Sequence, residues 1–267
     1  MSSEPEWLAP TSLEAALALK AARGEEATVL AGGTFLAILI NQRLFQPACL
    51  LSLRDVPGLD SISVDGELRL GAMVRHRAVE LAPVVRDGWA ALAYAFSVVA
   101  SPRVRNQATV GGVLADADYA SDPPAMLCAL GARAVARSVS GEREIPIEEL
   151  ITGYYETSLE PDELIVEVRV PRADRAVYRK FRSRSHEDRP CVSVAVSRRD
   201  GTLRAVVGAV AGRPQLFPEL CELEDPAELG RRYAEAIEPL SDSRGSAEYR
   251  RRVIAVEVRR ALEELAP

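Results

Sequence analysis

Two glycine pairs about eighty residues apart carry the most specific chemistry in this sequence: Val29-Leu-Ala-Gly-Gly-Thr-Phe-Leu36 and Ala108-Thr-Val-Gly-Gly-Val-Leu-Ala115. Each follows an apolar stretch able to deliver it to a sheet edge. A residue without a side chain lets main-chain N–H groups approach phosphate oxygens, and a helix starting after the turn adds a favourable dipole. The pairs therefore read as a split cradle for a diphosphate, against the plainer reading of two turns between elements.

The acidic stretch Asp116-Ala-Asp-Tyr-Ala-Ser-Asp122 runs from the second pair into Pro123-Pro124. Its aspartates invite a calcium loop, but the bidentate glutamate and central glycine of that motif are missing. Carboxylates beside a glycine loop repel phosphate, so they suit hydroxyl or ring N–H groups of a larger ligand. Asp122 reads as an acceptor for a ribityl or ribose hydroxyl, as the cap of the helix opening at Pro123, or as both. Asp116 and Asp118 read as a solvated loop. Of 33 basic residues only Lys20 and Lys180 are lysines, so arginine fills nearly every position where a generic cation suffices. Lys180 then reads either as a site wanting a compact ammonium or as a chance survivor. Ser185-His186-Glu187-Asp188 holds the residue types of a hydrolytic triad, yet adjacent side chains point apart and triads assemble from distant segments. His76 is the other histidine, so a histidine-based metal site is poorly supplied, and no metal is expected.

The elements that must position these residues alternate helix and strand at first. Ser12 to Arg23 has helical spacing with Gly24 as its stop; Ala27 to Ala31 is a short strand ending at Gly32-Gly33, and Phe35 to Asn41 resumes as a helix. Cys49 to Leu53 is a second strand. Ser61 to Val64 and Glu67 to Met73 flank Asp65-Gly66, a strong hairpin signal. Trp89 to Ala100 is helical and breaks at Ser101-Pro102, and a helix runs from Pro123 to Leu130. Strands are expected at Ala132 to Val139 and Glu163 to Val170. After Pro171 come Tyr178 to Arg184, Val192 to Val196, an Asp200-Gly201 turn, Leu203 to Ala211, and two helices, Pro226 to Ile237 and Gly245 to Leu265.

At 267 residues and 48% hydrophobic content, two modest cores are the better expectation. A net charge of −6 argues against a nucleic-acid surface. No signal peptide and no run of membrane-spanning length is read. Cys49, Cys128, Cys191 and Cys221 are far apart and never in a CxxC pairing, which disfavours a zinc ribbon or iron–sulfur site. A cytoplasmic protein with reduced thiols is expected.

Ala31-Gly-Gly-Thr-Phe-Leu36, Ser101-Pro-Arg-Val-Arg-Asn-Gln-Ala-Thr-Val-Gly-Gly112 with Asp122, Gly153 through Thr157-Ser-Leu-Glu-Pro-Asp-Glu-Leu-Ile165, Tyr178-Arg-Lys-Phe181 and Ser241-Asp-Ser-Arg-Gly-Ser-Ala-Glu-Tyr-Arg250 occur in one order. Together they resemble the FAD-binding medium subunit of molybdenum hydroxylases, the xanthine dehydrogenase and aerobic carbon monoxide dehydrogenase family. The resemblance runs from about residue 5 to the C-terminus. It implies an α+β fold: a two-part, PCMH-type FAD-binding domain over residues 1–171, with a small α/β part and a mixed or antiparallel sheet part, then a C-terminal domain over 172–267 with a three-stranded antiparallel sheet and helices. It further implies that Val29, Leu30, Ala31, Gly32, Gly33, Thr34, Phe35 and Leu36, with Thr109, Val110, Gly111, Gly112 and Val113, wrap the FAD diphosphate and adjoining groups. Asp122 and Lys180 match family positions that contact the cofactor, and Leu164 matches an apolar contact near it.

In that family a molybdopterin centre on a large subunit oxidises the substrate and two [2Fe–2S] clusters on a small subunit relay electrons. The FAD subunit passes them to NAD, a quinone or oxygen. The resemblance thus implies partner subunits and explains the lack of an acid–base pair here, since the flavin carries the redox chemistry. Phe35 departs from the family's usual small polar or acidic residue, Val113 from Asn or Ser, and Tyr119 from Pro. Each side-chain hydrogen bond missing at 35 and 113 weakens binding by about 1–2 kcal/mol, so FAD binding is expected to be retained but looser. The competing expectation is a degenerate scaffold that keeps the fold without the cofactor. A self-sufficient nucleotide-binding oxidoreductase is disfavoured, because no single G-x-G-x-x-G loop with its acidic partner is present.

Overall fold

The computed structural model describes residues 4–185, 187–223 and 225–266. It opens with a small parallel sheet of β1 (Glu6–Leu8), β2 (Ala27–Leu30) and β3 (Cys49–Ser52) in the order β1-β3-β2. Between β1 and β2 runs the helix Leu13–Arg23, capped by Ser12, whose side chain accepts from the Ala15 N–H, and stopped by Gly24 at φ +54°. The helix buries Ala16, Leu17 and Lys20, and the Lys20 ammonium donates to the carbonyls of Gly24 and Ala27. One lysine thereby closes the helix end and ties it to β2.

A five-stranded antiparallel sheet follows, ordered β4-β5-β10-β6-β7. It comprises β4 (Ile62–Asp65), β5 (Glu67–Gly71), β6 (Arg133–Ser138), β7 (Gly141–Pro146) and β10 (Leu164–Val170), with a two-stranded hairpin of β8 (Ile151–Gly153) and β9 (Glu156–Thr157) before the last. Gly66 alone joins β4 to β5, at the φ of +71° that the Asp-Gly signal anticipated. Period-two alternation sends Leu68, Leu70, Ala134, Ala136, Val168 and Val170 into a core shared with the helices Ala90–Ser97 and Pro123–Ala129. Val135, Leu164 and Val166 point the other way, against Ala16 and Leu17 of the first helix and Leu53 and Met73. Strands β1 and β7 were not anticipated. Both are edge strands, and in β7 residues 142–144 are the exposed Glu142, Arg143 and Glu144, which protect an edge but erase the hydrophobic alternation that announces a strand.

The C-terminal sheet is antiparallel: β11 (Arg175–Phe181), β12 (Val192–Arg199), β13 (Thr202–Gly208) and the short β14 (Gln215–Leu216). It has the three expected strands plus this two-residue edge strand. Asp200 and Gly201, both at positive φ, make the tight turn between β12 and β13. On β12, Val192, Val194 and Val196 face the helices Pro226–Ala236 and Ala247–Leu265. Ala195 faces the first core, and Ser197 donates to the Ala129 carbonyl at 2.6 Å. The sheet is thus sandwiched between its own helices and the helix Pro123–Ala129, giving a mixed α+β architecture. Among the described residues, no helix is long and apolar enough to cross a membrane.

Candidate functional site

Strand β2 ends at a loop in which Gly33 takes φ +71° before the helix Leu36–Asn41 begins. Among the described residues, the consecutive N–H groups of Gly32, Gly33, Thr34, Phe35 and Leu36 have no protein acceptor, while the Gly33 and Phe35 carbonyls accept from the helix that follows. Consecutive unpaired main-chain donors on a tight loop suit an anion. They line a cleft of about 390 Å³, together with Val29, Leu30 and Ala31. Gly32 has no room for a side chain, because a Cβ would stand 2.1 Å from the Gln107 carbonyl oxygen. That close approach seats the first glycine loop directly against the segment leading to the second.

The second pair is built differently from the expected strand-and-loop arrangement. Gly111 and Gly112 lie inside a short helix, Val110–Ala115, whose cap is Thr109; its hydroxyl accepts from the Gly112 N–H. The Val110 and Gly111 N–H groups donate to the carbonyls of Val74 and Ala72, and the Val113 N–H to that of Thr109. These donors are spent inside the protein: the unpaired donors come from the first loop, and the second segment supplies a wall of the cleft. Thr109, Gly111, Gly112 and Val113 line the cleft. Val110 is not part of the cleft lining: its side chain points into the core and is fully buried. Gly111 is small for packing, as a Cβ would meet that of Ala72 at 2.7 Å. A Cβ on Gly112 would clash only with the Thr109 hydroxyl and otherwise face Ala31 across the cleft at 3.9 Å.

In the same cleft lining as the glycine loop, Asp122 and Lys180 form a buried ion pair, Nζ to Oδ2 2.8 Å. Lys180 also donates to the Val98 carbonyl at 2.8 Å, and the Tyr178 hydroxyl donates to Asp122 Oδ1 at 2.7 Å. Burial raises the Asp122 carboxyl above its usual range, opposed by Lys180 and Tyr178, and burial lowers the Lys180 ammonium, opposed by Asp122. Asp122 makes no capping bond to the helix at Pro123, so of its two readings the cap falls away. Both residues line the cleft, as does Leu164.

The solvated reading of Asp116 and Asp118 is overturned. Asp118 is buried, accepts from the Ala120 N–H and pairs with Arg189 at 2.6 Å. Asp116, also lining the cleft, is pushed up to about 7 by burial first and by the neighbouring Asp118 second, with Arg189 opposing. Arg189 comes from the β11–β12 connection, so its arrival was invisible to local sequence. His76 was likewise missed as a cleft residue: it is buried, donates from Nε2 to the Thr109 carbonyl at 3.1 Å, and is pushed down to about 4 by desolvation, hence neutral. Of the Ser185–Asp188 stretch, His186 lies outside the described residues.

The residues at the three family departures are accounted for. Phe35 lines the cleft and stacks on Tyr155, rings 5.7 Å apart and 6° from parallel. Val113 is buried at the cleft wall. Tyr119 donates to Asp242 at 3.1 Å and thereby joins the acidic loop to the Asp242-Ser-Arg244 turn. Asp242 also pairs with the fully buried Arg250 at 2.6 Å.

A donor-rich loop, close-approach glycines and a polar far wall fit an extended dinucleotide with a diphosphate. Residues 2–173 match the family described as the FAD binding domain in molybdopterin dehydrogenase. The chain is 34% identical over 275 residues to the 6-hydroxypseudooxynicotine dehydrogenase complex subunit alpha of Paenarthrobacter nicotinovorans, covering 96% of this chain and 93% of that one. It is 30% identical over 273 residues to the carbon monoxide dehydrogenase medium chain of Hydrogenophaga pseudoflava, covering 96% and 95%. Its fold matches a chain of quinoline 2-oxidoreductase from Pseudomonas putida 86 with TM-score 0.91 and 28% identity, over 99% of this chain and 98% of that one.

Proposed function

The chain belongs to the FAD-binding family of molybdopterin dehydrogenases, as a medium subunit of the molybdenum hydroxylase type, and from that premise we propose that it receives electrons from [2Fe–2S] clusters on a small partner subunit and hands them to an external acceptor. A large, molybdopterin-binding subunit would oxidise the substrate, and NAD, a quinone or oxygen would be the acceptor. The observation that carries the reading is the run of five unpaired N–H donors from Gly32 to Leu36, facing a cleft whose far wall is the Asp122–Lys180 pair.

Bound FAD supplies the redox chemistry, and the chain's work is to hold and insulate it. The N–H groups of 32–36 take the diphosphate oxygens. Asp122 keeps lone pairs beyond those used by Lys180 and Tyr178 and presents them to hydroxyl or ring N–H donors. Lys180 fixes that carboxylate in place, and Leu164 and Val113 exclude water. Residues 1–171 would carry the cofactor and 172–267 would complete its far wall through Lys180. Free thiols at all four cysteines suit a reducing cytoplasm. The scaffold alternative has no observation in its favour, because a chain released from ligand binding is free to fill the cleft and pair those donors.

The test is a visible spectrum of the purified chain before and after incubation with FAD and desalting. Flavin bands near roughly 370 and 450 nm, retained at about one per chain, are expected. A folded chain that stays colourless both alone and with its partner subunits refutes the proposal.

A further inference from the structure

We propose that Phe35 and Tyr155 form a side-chain gate across the rim of the cleft, controlling how fast the cofactor enters and leaves. The inference rests on the FAD reading of the same cleft. Two contacts of the glycine loop differ in kind. At one, Gly32 lies against the backbone of Gln107 and Ala108, leaving no space for even a methyl group. At the other, the Phe35 ring from the glycine loop lies parallel to that of Tyr155 at 5.7 Å. The first contact is main chain on main chain and cannot open without moving a wall. The second is made by side chains and opens by a rotamer change.

The two leaves differ in how firmly they are held. Tyr155 sits in the turn of the β8–β9 hairpin, whose strands end at Gly153 and restart at Glu156. Its N–H donates to the Ala117 carbonyl at 3.1 Å, fastening the turn to the acidic loop. Tyr154, beside it, packs edge-on against Tyr119 at 5.4 Å and so closely on Gly212 that a Cβ there would stand 3.0 Å from its ring. The hairpin tip is therefore anchored to the acidic loop and to the C-terminal half of the chain. Phe35 is the free leaf. It precedes the short helix Leu36–Asn41, lines the cleft and stacks on Tyr155.

Both positions concede local stability for this contact. Phe35 occupies the cap position of its helix without any capping bond, where Ser, Thr, Asn or Asp is preferred. Tyr155 holds φ +58°, a conformation that glycine or asparagine takes more readily. Local concessions that converge on one contact at a ligand cleft point to a role for the contact. Phe35 thus compensates for the polar side chain it replaces: a lost hydrogen bond to the ligand is exchanged for a closure that slows its exchange.

Tyr155→Ala isolates the stack, because Tyr155 backs Phe35 without lining the cleft, and its half-exposed position leaves folding intact. The experiment measures FAD association and dissociation rates on the full chain by flavin fluorescence, for wild type, Tyr155→Ala and Tyr155→Phe. In Tyr155→Ala both rates rise together by about three- to tenfold, the factor an aromatic pair is worth, and Kd moves by less than about twofold. Tyr155→Phe, which keeps the stack, keeps both rates at the wild-type values. Wild-type FAD binding with rates unchanged in Tyr155→Ala overturns the gate and leaves the functional reading standing. A rise in the dissociation rate alone also overturns it, making Tyr155 an ordinary holding contact. Absence of FAD binding by the wild-type chain, with and without partner subunits, overturns both.

Discussion

Asp116→Asn separates a buried acid from a solvated one. The carboxyl is pushed from 3.8 up to about 7, chiefly by burial, and it has no hydrogen-bond partner to lose. A folded-state pKa above the unfolded value means that the native state binds a proton the unfolded state has released. The stabilisation from that proton is full below pH 3.8 and is lost as pH rises through about 7. Three units at about 1.4 kcal/mol each give about 4 kcal/mol as an upper bound, and partial solvent access at the cleft reduces this to about 2–4 kcal/mol. Wild type should therefore lose up to about 1.4 kcal/mol per pH unit relative to Asp116→Asn across the window from 4 to 7, with a constant gap above it. The assay is urea unfolding of both proteins, free of cofactor, at intervals from pH 4.5 to 8.5, compared as differences so that other titrating groups cancel. Asn should be the more stable variant at pH 8, and the gap should shrink to about 1 kcal/mol by pH 4.5. Parallel stability curves, or a less stable Asn variant at pH 8, would refute the burial argument.

Further substitutions test the other walls. Lys180→Ala strands a buried carboxylate and should cost about 3–5 kcal/mol in denaturant unfolding, whereas Lys180→Met with Asp122→Leu should recover most of that stability and still fail to retain flavin after desalting. Gly32→Ala, which drives a methyl into the Gln107 carbonyl, should give little folded protein on expression; Gly112→Ala should fold and show reduced flavin absorbance, since its methyl points at the cleft. Asp242→Ala leaves the fully buried Arg250 without its carboxylate partner and the Tyr119 hydroxyl without its acceptor, so the urea midpoint should fall by an amount equivalent to about 3–5 kcal/mol.

Local rules served well wherever one segment decides its own conformation. The Asp65-Gly66 hairpin, the Asp200-Gly201 turn and the valine alternation of β12 are of that kind, and each was legible because turn chemistry and period-two burial are written in adjacent residues. The failures share a different origin. Gly111-Gly112 lies in a helix despite the poor helix propensity of glycine, because Ala72 presses against the place of a Gly111 side chain. Asp116 and Asp118 look solvated by composition, but Asp118 is buried and Asp116 half-buried, and the Arg189 that pairs with Asp118 arrives from another element. The scarcity of lysine picked out Lys180, but it applies equally to Lys20, whose ammonium bridges the Gly24 and Ala27 carbonyls far from the acidic wall. What the pattern identifies is a tight site for a compact ammonium, whether structural or beside a ligand.

The acidic loop poses an electrostatic problem whose solution bears on binding. Three aspartates of the acidic loop line the cleft into which a diphosphate with about two negative charges must fit, and the unpaired N–H groups of 32–36 supply only dipoles against them. Each acid is neutralised in its own way: Asp118 by the Arg189 guanidinium, Asp122 by the Lys180 ammonium, and Asp116 by keeping its proton up to about pH 7. The third device is the only one of the three that fails within the physiological range. As pH rises through 7, Asp116 ionises and faces the diphosphate with a charge that Arg189, already paired with Asp118, offsets only in part; that charge is worth about 1 kcal/mol at the effective dielectric of a half-open cleft, or about fivefold in Kd. The FAD dissociation constant of the wild-type chain should therefore rise about fivefold between pH 6 and 8.5, and that of Asp116→Asn should stay flat, as read by fluorescence titration at constant ionic strength. A wild-type constant that does not change with pH would mean that the diphosphate lies out of reach of Asp116, and would move the anion site toward the β2 end of the glycine loop.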